Sequence, residues 1–137
     1  MLGFSALFVA IQFVPYGRSH SNPPVVKEPD WTRPTTRALA VRACFDCHSN
    51  ETAWPWYSHV APVSWLVERH VVEGRRALNF SEWNHGNDEA EEASEAVLEG
   101  EMPLSSYLLA HPTARLAASD RDELARGLDL TIGGERR

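Results

Sequence analysis

Both cysteines of the chain lie in one five-residue segment, Cys44-Phe-Asp-Cys47-His48. Two thiols three positions apart fall on one turn of a helix, so both can add to the vinyl groups on one edge of a porphyrin. The imidazole of the next residue then lies beneath the iron, where it can act as an axial ligand. The C-x-x-C-H spacing therefore predicts one covalent haem c, attached to Cys44 and Cys47 and ligated by His48.

Two other chemistries use the same residue types. A thioredoxin-like redox pair needs a strand before the motif and a helix after it, whereas here a predicted helix precedes the motif and an irregular loop follows. A zinc site would need a histidine pair at finger spacing after the cysteines, but His59 and His70 lie eleven residues apart. Because the motif uses every cysteine of the chain, we favour haem attachment.

A haem iron held by His48 either takes a second axial ligand from the chain or keeps that position open. Met102 is the first candidate, because it lies between a predicted helix end and Pro103, which fixes the backbone. His70, on a predicted helix, is the alternative and would give bis-histidine ligation; His59 or an open site comes next. The other histidines are weaker candidates: His20, His85 and His111.

The elements that position these residues are predicted to be helices. Apolar residues recur at helical spacing from Val63 to about Ala77, with Pro62 just before them. A helix over residues 88–99 is followed by Gly100, a suitable C-terminal cap. No segment alternates apolar and polar residues over a strand's length, so we expect a mainly α fold without a sheet. Further helices are predicted over residues 35–44, 104–110 and 119–128.

The first 17 residues are predicted to be an N-terminal hydrophobic anchor helix. Residues 1–14 carry no charged side chain, but a helix of that length spans only about 21 Å, short of the roughly 20 residues that cross a bilayer. The segment is typical of a signal peptide or, since no good cleavage site follows, an uncleaved signal anchor; a buried N-terminal helix is the alternative. We expect an anchor or signal peptide (1–17), a proline-rich tether (18–34), a haem-binding domain (35–130) and a flexible tail (131–137).

Composition and charge narrow the function classes. The chain has 137 residues and a net charge of −6, which argues against nucleic acid as a partner. Two cysteines exclude a disulfide-dense scaffold and a four-cysteine zinc site. Between Arg76 and Arg115 there are eight acidic residues and no lysine or arginine. This acidic run either attracts a basic redox partner near Met102 or is an ordinary solvated helix face.

The chain resembles a bacterial family of small haem-binding domain proteins with one c-type haem, related to class I cytochromes c. The resemblance extends from about Asn22 to Leu128. It implies a cytochrome c-like helical fold around a covalent haem, with His48 as proximal ligand and Met102 as distal ligand. The residues that carry it are Asn22-Pro-Pro-Val, Ala43-Cys-Phe-Asp-Cys-His-Ser-Asn-Glu-Thr52, Trp54-Pro-Trp-Tyr-Ser58, Ala61-Pro-Val-Ser-Trp65, Gly74-Arg75, Leu78-Asn-Phe-Ser-Glu-Trp83 and Glu101-Met-Pro103.

The surroundings of such a haem can also be predicted. The second ring nitrogen of His48 needs a carbonyl partner, for which Pro62 or Pro55 is the candidate by analogy with class I cytochromes. Arg75 or an indole N–H could pair with a haem propionate, although Arg75 and Arg76 would also suit a solvated helix face. Aromatic side chains are expected to wall the porphyrin: Trp54, Trp56, Tyr57, Trp65 and Trp83.

These features predict a one-electron carrier rather than an enzyme. With both axial positions filled, no site remains for peroxide or a gas, which would be needed by the alternatives, a haem peroxidase or a haem-based sensor. Covalent haem attachment takes place on the export side of the membrane. We therefore expect the domain on the periplasmic side of a bacterial inner membrane, anchored or exported, where it meets redox partner proteins.

Overall fold

The computed structural model describes residues 2–87 and 89–134, and this part of the chain is mainly helical. It contains no β-strand, and one isolated bridge pairs Lys27 with Glu82. The prediction of a mainly α fold is confirmed, whereas the cytochrome c-like arrangement stays a prediction. The α-helices are α1 (Leu2–Ile11), α2 (Pro34–Ala43), α3 (Phe45–His48), α4 (Val63–Ala77), α5 (Ala93–Glu99), α6 (Ser105–Ala110) and α7 (Ala118–Gly134), and short 3-10 turns cover Trp56–His59, Ala90–Glu92 and Pro112–Ala114.

The predicted helix bounds agree well with the structure where local signals were strong. Helix α4 has the predicted bounds, and α5 ends at Gly100, whose φ of 78° lies in the left-handed region. The predicted helix 88–99 begins with a 3-10 turn, and Asp88 lies outside the described residues. Helix α7 continues to Gly134 instead of ending near Leu128, because buried side chains keep it packed on the domain.

The hydrophobic core lies where α2, α3, α5 and α7 meet. Leu124 and Leu128 of α7 are almost completely buried, as is Phe80 from the segment after α4. Phe45, inside the cysteine motif, stacks on Phe80 with ring centroids 5.5 Å apart. The motif helix α3 is therefore fixed to the core by one of its own residues, so that packing around Phe45 determines where the two thiols lie.

Residues 18–34, which were predicted to be a proline-rich tether, lie against the domain. The backbone N–H groups of Val26 and Lys27 both donate to the carbonyl of Ser81, at 2.8 and 3.1 Å. Trp31 packs on Phe80 with ring centroids 5.2 Å apart. The backbone bonds form because an extended, proline-rich segment makes no hydrogen bonds within itself, which leaves the N–H groups of Val26 and Lys27 free to bond the loop after α4.

Residues 131–134, predicted to belong to a flexible tail, are instead helical. Thr131 and Ile132 are buried in the last turns of α7, and the Thr131 hydroxyl donates to the carbonyl of Gly127 at 2.8 Å. Residues 131–134 thus belong to a helix packed on the core, while residues 135–137 lie outside the described residues.

Helix α1 presents most of its apolar side chains to solvent and is joined to the domain at its end. Phe4, Leu7 and Phe8 are exposed, whereas the Gln12 side chain accepts from the Ala61 N–H and donates to the Ala61 carbonyl, each at 3.0 Å. The buried-helix alternative therefore does not describe α1. None of the helices in the described residues has the length and apolar character that a membrane crossing requires.

Candidate haem site

One cavity of about 500 Å³ brings together the four residues on which the haem prediction depends. Cys44, Cys47 and His48 line it from the α3 side, and Met102 lines it from the turn between α5 and α6. These residues lie up to 58 positions apart in the sequence, so their convergence is a property of the fold. The volume lies within the usual range for small-molecule and cofactor pockets.

The His48 ring is held in one orientation by a backbone carbonyl. Its Nδ1 lies 3.1 Å from the Leu78 carbonyl oxygen, and because a carbonyl only accepts, Nδ1 carries the proton. Burial lowers the pKa of His48, which favours the neutral ring. The free lone pair is therefore on Nε2, the atom that an iron would take.

This contact corrects the expectation that Pro62 or Pro55 supplies the carbonyl. The Pro62 carbonyl accepts the Trp65 N–H at 3.1 Å, and the Pro55 carbonyl accepts from Ser58. Leu78 instead follows the end of α4 in extended conformation, where its carbonyl has no helical partner and turns towards α3. Pro62 does not line the cavity.

The two cysteines are unpaired and electrostatically unsuited to act as thiolates. Burial raises the pKa of Cys44 to about 12, and burial together with the Asp46 charge raises the pKa of Cys47 to about 11. Reactive cysteines of thioredoxin-like pairs require the opposite shift, a lowered pKa in a positive environment. The direction of both shifts is thus opposite to that of a reactive dithiol pair.

Met102 reaches the cavity because α5 ends abruptly. The left-handed residue Gly100 reverses the chain, and the Met102 N–H then donates to the Ala96 carbonyl at 3.1 Å. The side chain is half-buried and faces the cavity. Met102 and His48 thus line the same cavity.

The histidines other than His48 fall into three groups by the cavity that they line. His70 lines the same cavity as Met102, so the bis-histidine alternative stays open. His20, His59 and His85 line neither this cavity nor the neighbouring one; His20 instead contacts the Ser58 carbonyl and packs edge-to-face on His59. These three are therefore poorly placed to ligate an iron beside the cysteines. His111 lines only the neighbouring cavity.

The tryptophans do not line the cavity, which corrects the expectation of an aromatic wall. Trp54 donates to the Asn22 side chain, Trp56 is 79% exposed, and the indole N–H of Trp65 is buried without a hydrogen-bond partner. Trp83 stacks on Phe80 in the core. Tyr57 lines the neighbouring cavity. The apolar wall consists mainly of smaller residues: Ala43, Ala77, Leu78, Phe80, Ala93, Ala96, Val97, Leu104 and Leu128.

The size of the wall residues explains this difference. A flat cofactor needs space between packed helices, and alanines at facing positions leave that space, whereas an indole would fill it. Ala93 and Ala96 lie three positions apart on α5 and Ala43 ends α2, so small residues at helical spacing were the sequence signal for the pocket. Nothing in the sequence indicated the carbonyl of Leu78.

Arg75 does not face the cavity, contrary to the expectation of a propionate partner. Its guanidinium donates to the carbonyls of Ser49 and Ser21 and to side-chain oxygens of Asn22 and Thr52, at 2.8–3.0 Å. It is not a solvated surface residue either, since it joins the proline-rich segment to the loop after the motif. Arg76, the next residue, does line the cavity.

Part of the acidic run surrounds the cavity. Glu89, Glu92 and Glu101 line it, and Glu73 joins them from α4. Glu82 does not line the cavity and instead accepts a hydrogen bond from the Asn50 side chain. Arg76 is the one lysine or arginine that lines the cavity within the described residues.

A helical domain whose C-x-x-C-H motif and methionine face one cavity defines a class of protein that holds haem. The sequence model of the haem-binding domain family matches residues 6–129, which is most of the chain, and the chain belongs to this family. Haem is accordingly its cofactor. Neither a curated protein nor a solved structure matches the chain at a significant level.

Proposed function

We propose that this chain is a c-type haem protein that carries single electrons, with one haem joined to Cys44 and Cys47 and its iron between His48 and Met102. The observation that carries the proposal is the convergence of these four side chains on one cavity. When bound, haem supplies an iron that accepts and releases one electron. The relation to class I cytochromes c is part of the same proposal.

The side chains of the protein have separate tasks in this proposal. Cys44 and Cys47 would hold the porphyrin edge through thioether bonds, which bring no charge into the buried site. His48 presents Nε2 because Leu78 occupies Nδ1. A thioether from Met102 favours the reduced iron and, with burial, raises the reduction potential. Filled axial positions also exclude external ligands, which argues against a peroxidase or gas sensor.

One alternative ligand set has direct support. His70 lines the same cavity, and a second imidazole in place of the thioether would lower the reduction potential. We propose the Met102 arrangement because Met102 lies between the end of α5 and Pro103. The turn that contains it is fixed by the hydrogen bond from the Met102 N–H to the Ala96 carbonyl.

We further propose that the domain works on the periplasmic side of a bacterial inner membrane, attached by its N-terminal segment, and exchanges electrons with other redox proteins. The exposed apolar side chains of α1, such as Phe4 and Phe8, support contact with lipid. The carboxylates of Glu89, Glu92 and Glu101 at the cavity support a basic partner, because opposite charges accelerate association.

The proposal is tested on holoprotein matured with haem, compared with two variants, Met102→Ala and His70→Ala. Oxidised wild type should show the weak near-infrared band of sulfur-to-iron ligation, which Met102→Ala should abolish and His70→Ala should retain. Loss of the band in His70→Ala alone, or its absence from wild type, would identify a different ligand set. Acidified organic solvent should leave the haem on the denatured chain; its release would disprove covalent attachment.

A further inference from the structure

Tyr107 makes a hydrogen bond across the cavity to the cysteine motif. Its hydroxyl donates to Asp46 Oδ2 at 2.6 Å, a short distance typical of a bond to an ionised carboxylate. Asp46 lies between the two cysteines, while Tyr107 is on α6, five residues after Met102. The bond therefore connects the helix that presents His48 with the segment that presents Met102.

Asp46 is itself held rigidly. Its other carboxylate oxygen accepts the Ala53 N–H at 2.9 Å, and its backbone carbonyl accepts the Thr52 hydroxyl at 2.8 Å. The Tyr107 ring is fixed as well, since it stacks on His111 with ring centroids 4.0 Å apart. The contact thus joins two side chains that have little freedom to move elsewhere.

Helix α6 has little else to hold it against the motif. None of its residues is fully buried, and Leu109 is 84% exposed. Asp46 and Tyr107, together with Cys47 and His70, line both the main cavity and a neighbouring one of about 320 Å³. The bond therefore lies at the boundary between the two cavities, beside the second thiol.

We propose that Tyr107 is a positioning residue for the iron: through its bond to Asp46 it holds the Met102 segment over the haem and keeps the thioether in place against competing ligands. Burial and the Asp46 carboxylate raise the pKa of Tyr107, so the hydroxyl remains a donor over the whole physiological range. The proposal depends on the proposed function, because it requires Met102 to be an iron ligand.

The test uses Tyr107→Phe holoprotein, which keeps the ring on His111 and loses only the hydroxyl. Imidazole added to the oxidised protein competes with the thioether for the iron, so its affinity measures how firmly Met102 is held. We expect it to bind about 10- to 100-fold more tightly than to wild type, the range set by a hydrogen bond to a charged group. The near-infrared sulfur-to-iron band should weaken in parallel.

Ser105→Ala serves as the control, because Ser105 lies on the same helix, is exposed and lines neither cavity. It should bind imidazole as wild type does. An affinity within about twofold of wild type in Tyr107→Phe, with the band intact, would overturn the proposal while leaving Met102 ligation standing. A wild type without the band would overturn the ligation, and this proposal with it.

Asp46→Ala removes the acceptor of the same bond and covers the case in which Tyr107→Phe fails to fold. It should also bind imidazole more tightly than wild type, and Tyr107→Phe should add nothing to it, because the bond is already gone. Additive effects would contradict the proposal. Failure of both variants to hold haem would also overturn it, since the pair would then serve attachment rather than ligation.

Discussion

Gly74 provides the most direct test of how the site is assembled, because α3 and α4 touch through it. A Cβ atom at position 74 would lie 2.5 Å from the carbonyl oxygen of Cys47 and 3.1 Å from its Cβ. The first neighbour is backbone and cannot rotate away, so Gly74→Ala must push α3 off α4. Overpacking of this kind costs about 1–3 kcal/mol, and alanine returns about 1 kcal/mol through its helix propensity. We expect a net loss of up to about 2 kcal/mol.

The displacement should also reach His48, the proposed iron ligand. His48 directly follows Cys47 and holds Leu78 at 3.1 Å, so a shift of α3 of a few tenths of an ångström already weakens that bond. Gly74→Ala holoprotein should therefore melt up to about 7 °C lower than wild type and show a shifted reduction potential.

Substitutions at two glycines of α7 distinguish a general loss of stability from a change in the reduction potential. Gly133→Ala meets no atom within 4 Å and should be neutral or gain up to about 1 kcal/mol. Gly127→Ala would overlap the Thr36 side chain and should destabilise the fold without changing the potential, since Thr36 lies outside the cavity. If Gly74→Ala melts at or above the wild-type temperature with an unchanged potential, the close packing of α3 on α4 is refuted.

Two more predictions concern the segment around residues 18–34. Arg75→Lys should lower the free energy of unfolding in urea by about 1.5–3 kcal/mol, because a single ammonium cannot replace a planar fork with four acceptors; a change below about 0.5 kcal/mol would contradict the bonding described. Glu28 has its pKa lowered from 4.5, mainly by hydrogen bonds from Arg37, so its stabilising effect is present above that value and is lost as the pH falls through the lower, folded value. As the pH falls below about 4.5, wild type should therefore lose more stability than Glu28→Gln, by up to about 1 kcal/mol for a partly exposed pair, and equal slopes in the two proteins would refute the pairing.

The sequence allowed the local features to be predicted well. Helix α4 and the end of α5 at Gly100 follow from periodicity and from the left-handed preference of glycine, which act over a few residues. The C-x-x-C-H motif is local too, and haem binding agrees with the family to which the chain belongs. The length of α7 was missed because its last turns are stabilised by burial of Thr131 and Ile132, which depends on the fold.

The predictions that were wrong each concern a feature that depends on the fold rather than on local sequence. The tryptophans were predicted to line the pocket of a flat cofactor. A pocket between helices instead needs small side chains, such as Ala93 and Ala96, that leave space between the packed helices. The hydrogen-bond partner of the His48 ring is a backbone carbonyl, which any residue type can provide. The sequence therefore could not indicate that Leu78 supplies it. Arg75 was judged by its charge, whereas its position between two loops determines its bonds.

One motif that carries the family resemblance outside the cysteine segment, Leu78-Asn-Phe-Ser-Glu-Trp83, supports His48 in addition to lining part of the pocket. The segment from Leu78 to Phe80 makes two hydrogen bonds to His48. The Leu78 carbonyl accepts the ring Nδ1–H of His48, and the Phe80 N–H donates to the His48 carbonyl at 2.8 Å. Asn79 and Ser81 in turn bond Asn50, which follows the motif.

These bonds are complete within the protein itself. The buried amide of Asn50 donates to the Pro24 carbonyl and to Glu82 and accepts from Asn79, so the proline-rich segment and both loops form one unit. A ring held by such a network needs no cofactor to orient it, which lowers the reorganisation that haem binding or a change of iron charge would demand. The proline-rich segment is thereby part of the site, through the carbonyl and side chains that keep His48 in place.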